Sequence, residues 1–324
     1  MIEAVNRRTM LVLGGLLLAG CAPAAAARKL RVSVVGKGDG DTQLLLRTAG
    51  IATPGLQLEF VNFESGHLVI EAFNGGALDY GGVSEIPPIF ALGTSTPSFR
   101  QVAVAHGDVN NQVILVPRGS TISDLAGLKG KRVGYVRATT SHYFLIRMLQ
   151  SVGLTWADIT PVALNVADGQ AAFASGQLDA WAIYGFPIQR AVATEGARIL
   201  RTALGFLSGN YLAAAHVDAL ADPVRADLIG RYLRATRQAY AWAAAHQDQW
   251  AAVVAGQIGV PLAYVQDQFR RKSATYSLRP VDAAAVASQQ AVADVFARAK
   301  LIPKAVDVRP LWDDRYNAII EEKV

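Results

Sequence analysis

The sequence predicts an α/β fold of two similar lobes joined by a hinge of two chain crossings. Three observations carry this. Beyond residue 28, short β-rich runs alternate with helical stretches, the pattern of a mainly parallel sheet covered by helices. The motif A-F-x-x-G-x-L-D occurs at Ala72-Phe73-Asn74-Gly75-Gly76-Ala77-Leu78-Asp79. It returns about 100 residues later as Ala172-Phe173-Ala174-Ser175-Gly176-Gln177-Leu178-Asp179, and Arg31-Val32 recurs as Arg132-Val133 at nearly the same offset. Two matches at one offset point to a repeated topology. Finally, the chain beyond residue 212 is helical, with too little β signal for a third domain.

Each element follows from local pattern. Leu30-Arg31-Val32-Ser33-Val34-Val35 is a β-rich run that Gly36 ends, and residues 59–63 form the next. Gly38-Asp39-Gly40-Asp41 has part of a calcium-loop pattern without the rest, and reads as a turn. Residues 67–73 make a short helix stopped at Gly75-Gly76, and Leu78-Asp79 leads into a strand. The second lobe opens near Val113-Ile114-Leu115-Val116. Residues 131–136 are a strand, followed by a helix with Leu145, Met148, Leu149 and Val152 on one face and Gly153 at its end. Residues 180–183 are a strand, and the lobe closes near Tyr211-Leu212-Ala213. Residues 226–254 and 281–299 carry apolar positions at helical spacing and complete the first lobe. The expected division is 28–112 plus 213–324 for one lobe and 113–212 for the other. Such a hinge closes around a ligand.

Composition narrows the function classes. The chain has 324 residues, 31 Lys+Arg against 26 Asp+Glu, and a net charge of +5. With 52% hydrophobic and 18% charged residues it is a folded protein, not a disordered one. Its single cysteine excludes an intrachain disulfide, a cysteine zinc site and an iron–sulfur cluster. That cysteine sits at an informative place. Asn6-Arg7-Arg8 precedes an apolar run over 10–20, shorter than the ~20 residues a membrane helix needs, which reads as an export signal within residues 1–27. Leu18-Ala19-Gly20-Cys21 resembles a lipobox, making Cys21 a lipid attachment point, and Arg7-Arg8 resembles a twin-arginine signal. Simple cleavage after 24–27 is the alternative.

The chemistry-bearing candidates cluster at strand ends. Ala138-Thr139-Thr140-Ser141-His142 lies between a strand and a helix. One hydroxyl caps a helix; three hydroxyls with free N–H groups make an anion site. His142 either donates to that anion or covers the helix end. Ser84 and Glu85 precede Pro87-Pro88 at the carboxyl end of a strand, where ligands of open α/β sheets bind. Trp181 and Tyr184 either wall an organic substituent or pack in the core. The histidines show no metal-ligand spacing. H-E-x-x-H, G-x-S-x-G, G-x-G-x-x-G, Walker A and nucleic-acid motifs are all missing. A binding protein is expected rather than an enzyme, with no cofactor, metal or nucleic acid.

Four stretches resemble the aliphatic sulfonate-binding proteins of bacterial ABC importers, within the taurine-, nitrate- and thiamine-precursor-binding group. They are Ser84-Glu85-Ile86-Pro87-Pro88-Ile89-Phe90-Ala91, the segment from Ser141-His142 to Leu149, Leu178-Asp179-Ala180-Trp181-Ala182-Ile183, and Leu301-Ile302-Pro303-Lys304-Ala305-Val306-Asp307-Val308. The resemblance implies the type II periplasmic-binding-protein fold, two doubly wound lobes on a double-crossover hinge. It implies a small sulfonate as ligand, held by Thr139, Thr140, Ser141 and His142 and faced by Ser84, Glu85 and Lys37. Trp181 and Asn210 would border the organic part. It further implies permease and ATPase subunits as partners, a periplasmic or otherwise extracytoplasmic monomer, and membrane attachment if Cys21 is lipidated. Three segments depart from the family pattern: Val35-Gly36-Lys37-Gly38 for Gln-Lys-Gly, Tyr184-Gly185-Phe186-Pro187 for Trp-Asp-Pro, and Leu207-Ser208-Gly209-Asn210-Tyr211 for Thr-Gly-Ser-Phe-Tyr. All fall where the ligand's variable part is expected. Alternative ligands are taurine, an aromatic sulfonate, a sulfate ester or a thiamine precursor, and a pyrimidine-forming enzyme shares the fold class.

Overall fold

The structure, a computed structural model, describes residues 29–94 and 96–322. The expected export segment, with Arg7, Arg8 and Cys21, lies outside the described residues. Eleven strands are present among those described: β1 (Lys29–Val35), β2 (Gln57–Phe63), β3 (Tyr80–Ser84), β4 (Phe99–His106), β5 (Gln112–Val116), β6 (Arg132–Tyr135), β7 (Thr160–Ala163), β8 (Ala180–Tyr184), β9 (Arg198–Thr202), β10 (Asn210–His216) and β11 (Ser277–Arg279).

They form two sheets, ordered β11-β4-β10-β3-β1-β2 and β7-β6-β8-β5-β9. Within each, three consecutive strands pair in parallel, β1 with β2 and β3, and β6 with β7 and β8. Each sheet also takes in an antiparallel strand laid down just after a crossing, and the larger sheet has a second, β11, antiparallel to β4 at its edge. β10 inserts between β3 and β4, and β5 between β8 and β9. The two lobes therefore share one topology. Helices cover both faces of both sheets, as parallel strands require.

The sequence echo has a physical cause. Arg31 lies in the first half of β1 and Asp79 precedes β3. The Arg31 guanidinium meets Asp79 through Nη2–Oδ1 at 2.8 Å and Nε–Oδ2 at 3.0 Å, and Arg31 Nη1 donates to the Gly76 carbonyl at 2.6 Å. Arg132 repeats this on Asp179 at 3.0 and 3.2 Å and on the Gly176 carbonyl at 3.1 Å. In each lobe one fork ties a parallel strand (β1 or β6), a helix end and the neighbouring strand (β3 or β8) together. The copies differ in burial. Asp79 is 1% exposed and is also held by Arg225 Nη1 at 3.2 Å, whereas Asp179 and Arg132 are in contact with solvent. Burial pushes the Asp79 carboxyl up, but Arg31 and Arg225 outweigh it and hold it below the usual carboxylate range.

The crossings run through 107–111 and 203–209, and they touch: Gly107 N–H donates to the Gly209 carbonyl at 2.9 Å. Both glycines are required. Gly209 has φ +81°, and a Cβ there would lie 3.0 Å from the Gly107 oxygen. A Cβ on Gly107 would lie 2.3 Å from the Tyr276 ring.

The helical tail differs from the expectation in two ways. The stretch 226–254 is two helices, Pro223–Ala245 and Gln247–Ile258, broken at His246. Helix Ala283–Arg298 packs on both lobes, because Val292, Val295 and Phe296 share one apolar cluster with Ile86 and Ile89 and with Tyr143 and Ile146. Val152, expected on the buried face of the helix Thr140–Ser151, caps that helix and is 38% exposed. Leu145, Met148 and Leu149 are buried as expected.

Candidate ligand-binding site

A cavity of about 250 Å³ lies between the sheets, at the carboxyl ends of β1, β3, β6 and β8. Lys37, Ser84, Thr139 and Thr140 line it, so hydroxyls and a cation from the two lobes meet there. Each arrives on a strand–helix turn, where the topology brings loops together.

The β6–helix turn is built from the hydroxyls. Ala138 sits at φ +57°, a left-handed conformation that costs a non-glycine residue roughly 1 kcal/mol. The turn is held closed by side chains. Ser141 Oγ accepts from the Val136 N–H at 3.0 Å, Thr139 Oγ1 donates to the Val136 carbonyl at 2.8 Å, and the two hydroxyls lie 3.0 Å apart. His142 Nδ1 accepts from the Ala138 N–H at 3.4 Å. Thr139 is the N-cap residue but its side chain does not cap the helix. The N–H groups of Thr140, Ser141 and His142 consequently have no acceptor among the described residues, and the Thr140 hydroxyl is free as well. Of three expected hydroxyls, then, Thr140 supplies the available one, and the helix N-terminus supplies N–H donors and a positive dipole end.

Five expected site residues do not line the cavity. Ser141 is fully buried in the turn just described. His142 is buried among Tyr135, Trp156, Phe90 and Phe296, with ring centroids 4.8 to 6.0 Å away. Burial, with the Arg137 charge, pushes its pKa down to about 3, so it is a neutral turn-holder and not a cation for the ligand. Glu85 is 3% exposed and points to the interlobe crossing, accepting from Ser208 Oγ at 2.5 Å and Asn210 Nδ2 at 3.5 Å. Burial raises its carboxyl above the ordinary range against those hydrogen bonds. Asn210 is spent on Glu85 and on His106, whose Nδ1 is 3.3 Å from its Oδ1. Trp181 is fully buried in the core, 5.7 Å from the Phe173 ring and packed against Gly169.

Their neighbours take the positions instead. Tyr184 ends the Trp181 strand and lines the cavity, as does Tyr211 beside Asn210. Strand alternation separates each pair. The organic wall is aromatic: Phe186, Tyr184, Tyr211, Tyr232, Tyr240 and Tyr276. Three of these come from the helix Pro223–Ala245 and from the residue just before β11, where the sequence carries no motif. Burial pushes their hydroxyls up, Tyr232 to about 12, so they stay protonated. The Gly38–Asp41 turn is a helix entry, not a metal loop: Asp41 Oδ1 caps the helix Thr42–Thr48, and Asp39 pairs with Lys272 at 2.8 Å.

The NMT1/THI5 like family profile matches residues 52–250. A candidate aliphatic sulfonates-binding protein of Escherichia coli (strain K12) is 34% identical over 80% of this chain and 80% of its own length. The alkanesulfonate-binding protein SsuA of Xanthomonas axonopodis pv. citri, solved bound to MOPS, is 29% identical with a TM-score of 0.79, covering 88% of this chain and 98% of that one. The periplasmic aliphatic sulphonate binding protein SsuA of Escherichia coli is 29% identical with a TM-score of 0.75, over 88% and 92% of the two chains. By sequence and by fold the chain belongs to the NMT1/THI5-like family, alongside the aliphatic sulfonates-binding proteins.

Proposed function

We propose that this chain is the extracytoplasmic solute-binding protein of an ABC importer, binding a small organosulfonate between its lobes and delivering it to a permease. One observation carries the reading. The uncapped helix N-terminus at Thr140, with its free hydroxyl, faces Ser84 and Lys37 across a cavity walled by aromatic rings. A sulfonate presents three acceptor oxygens and one delocalised charge, which N–H and O–H donors satisfy without a buried countercharge. The rings suit an organic tail. The fold alone does not separate binding from catalysis; the relatives' names support binding.

In this reading the lobes are residues 28–112 with 213–324 and residues 113–212, and they close on the ligand. Cys21 carries the lipid anchor and Arg7-Arg8 directs twin-arginine export. Intact mass of the membrane-extracted protein tests the anchor: a diacylglyceryl Cys21 supports it, and a chain starting beyond residue 24 rejects it. Calorimetry with alkanesulfonates, aromatic sulfonates, sulfate esters, taurine and a neutral pyrimidine tests the ligand. Micromolar or tighter sulfonate binding is expected. Pyrimidine binding without any response to sulfonates, or turnover of a panel member, would overturn the reading.

A further inference from the structure

Two adjacent glycines of β3 stand on opposite faces of the sheet, and only one of them is there for packing. A Cβ on Gly81 would lie 2.7 Å from Ser33 Oγ and 2.9 Å from Val69 Cγ1, so the core leaves room for nothing larger. A Cβ on Gly82 would meet no atom within 4 Å, and its φ lies outside the left-handed region. A glycine inside a strand weakens it, by chain entropy and by the missing side-chain contact. At Gly82 neither the backbone conformation nor the neighbours require one.

Gly82 opens instead on the interlobe cavity. It is exposed there, with Tyr80 and Ser84 on the same strand face and lining the same space. Pairing leaves the spot bare on both sides. β1 meets β3 at Val32 and Tyr80, and beyond that point the Gly82 N–H is taken by Ser33 Oγ at 3.1 Å. On the other side Gly82 pairs with Ala213 of β10, a small residue that also lines the cavity. Along the face, Ser84 lies about 7 Å one way and Tyr80 about 7 Å the other. Tyr80 meets the Tyr232 ring edge-on, with centroids 5.0 Å apart. The bare backbone thus lies between the hydroxyl end of the cavity and its aromatic end.

An anion held by Thr140 and Ser84, with its tail directed at the rings, crosses Gly82. A side chain there would fill that path from below without touching the rest of the protein. We propose that Gly82 is the specificity-determining residue for the ligand's tail: its missing side chain lets the tail lie directly on the β3 backbone, and so sets the length and bulk that the cavity accepts. The strand gives up local stability at this position for the ligand's sake. This rests on the sulfonate reading above and adds the residue that limits the tail.

The test is titration calorimetry of the purified protein with straight-chain alkanesulfonates from methanesulfonate to octanesulfonate, beside thermal denaturation of the variants. The wild type is expected to bind hexanesulfonate at least about 10-fold tighter than methanesulfonate, because the added methylenes are buried. Gly82→Val weakens hexanesulfonate at least about 10-fold and leaves methanesulfonate within about twofold. Gly82→Ala shifts the same way by a smaller factor, about threefold. The thermal midpoint of Gly82→Ala is unchanged or about 1 °C higher, whereas Gly81→Ala lowers it by about 3 °C or more. A wild type indifferent to length, a loss in Gly82→Val that is equal or nil at every length, or a Gly82→Ala midpoint lowered as far as that of Gly81→Ala would overturn this proposal and leave the sulfonate reading standing. Failure of every sulfonate to bind the wild type would overturn both. Should Gly82→Val not fold, Gly82→Ala decides alone.

Discussion

Acidification should destabilise this protein through His142, by an amount that the structure sets. Burial among four aromatic rings, with Arg137 nearby, holds the folded pKa at about 3, against 6.5 for a free histidine. The unfolded chain therefore takes up the proton first as pH falls, and each tenfold difference in proton affinity is ~1.4 kcal/mol. The contribution is fully present above about pH 6.5 and is lost as pH drops towards 3. Between pH 7.5 and 5 the loss is about 2 kcal/mol, and by pH 3 it reaches about 4 to 5 kcal/mol. That is a large share of a typical ~5–15 kcal/mol stability. Glu85 acts oppositely: its folded pKa is raised, so its contribution is present at low pH and is lost as pH rises through that value.

The comparison protein is His142→Phe, which keeps an aromatic ring in the cluster but cannot titrate. It also loses the acceptor for the Ala138 N–H, a pH-independent offset of about 1 kcal/mol. The readout is therefore the slope and not the offset. Urea unfolding followed by tryptophan fluorescence should give the wild type a steeper fall in stability from pH 7.5 to 5, by about 2 kcal/mol. Parallel pH profiles for the two proteins would refute the buried neutral imidazole.

Thr140→Val should weaken sulfonate binding by about 10- to 100-fold, the loss of one hydrogen bond to a charged group, with the thermal midpoint nearly unchanged. Unaltered affinity in calorimetry would place the anion elsewhere. Asp79→Asn should cost about 2 kcal/mol or more, because it breaks a buried carboxylate's pairs with Arg31 and Arg225. Asp179→Asn, the same motif in solvent, should barely move the midpoint; equal effects on denaturation would contradict the burial argument. Ala138→Gly should raise stability by up to about 1 kcal/mol by relieving the φ +57° strain. A lower denaturation midpoint would show that the turn is not strained.

Much of the fold was legible because its signals are local. The Leu-Asp echo located both lobes before the Arg31–Asp79 and Arg132–Asp179 forks gave it a reason. Glycine stops and apolar spacing set the helices. The site was legible at the level of segments and less so at single residues. The Thr139–Thr140–Ser141 run marked a turn that lines the cavity, but which hydroxyl stays free depends on Val136 and on Ala138 at positive φ, which only three dimensions reveal. Trp181 and Asn210 were placed one face or one residue away from Tyr184 and Tyr211, the ambiguity that a strand's period of two creates. Tyr232, Tyr240 and Tyr276 had no motif at all. They reach the cavity because the helical tail folds back over the first sheet, a long-range contact that no local window contains.

In the proposed complex the sulfonate headgroup sits on the helix N-terminus at Thr140. Diffraction from crystals grown with ethanesulfonate tests it most directly. The expected density is a sulfonate whose oxygens lie within about 3.2 Å of Thr140 Oγ1 and of the Thr140 and Ser141 N–H groups. A headgroup bound elsewhere in the cavity, or a cavity that takes up no ethanesulfonate at saturating concentration, would contradict it.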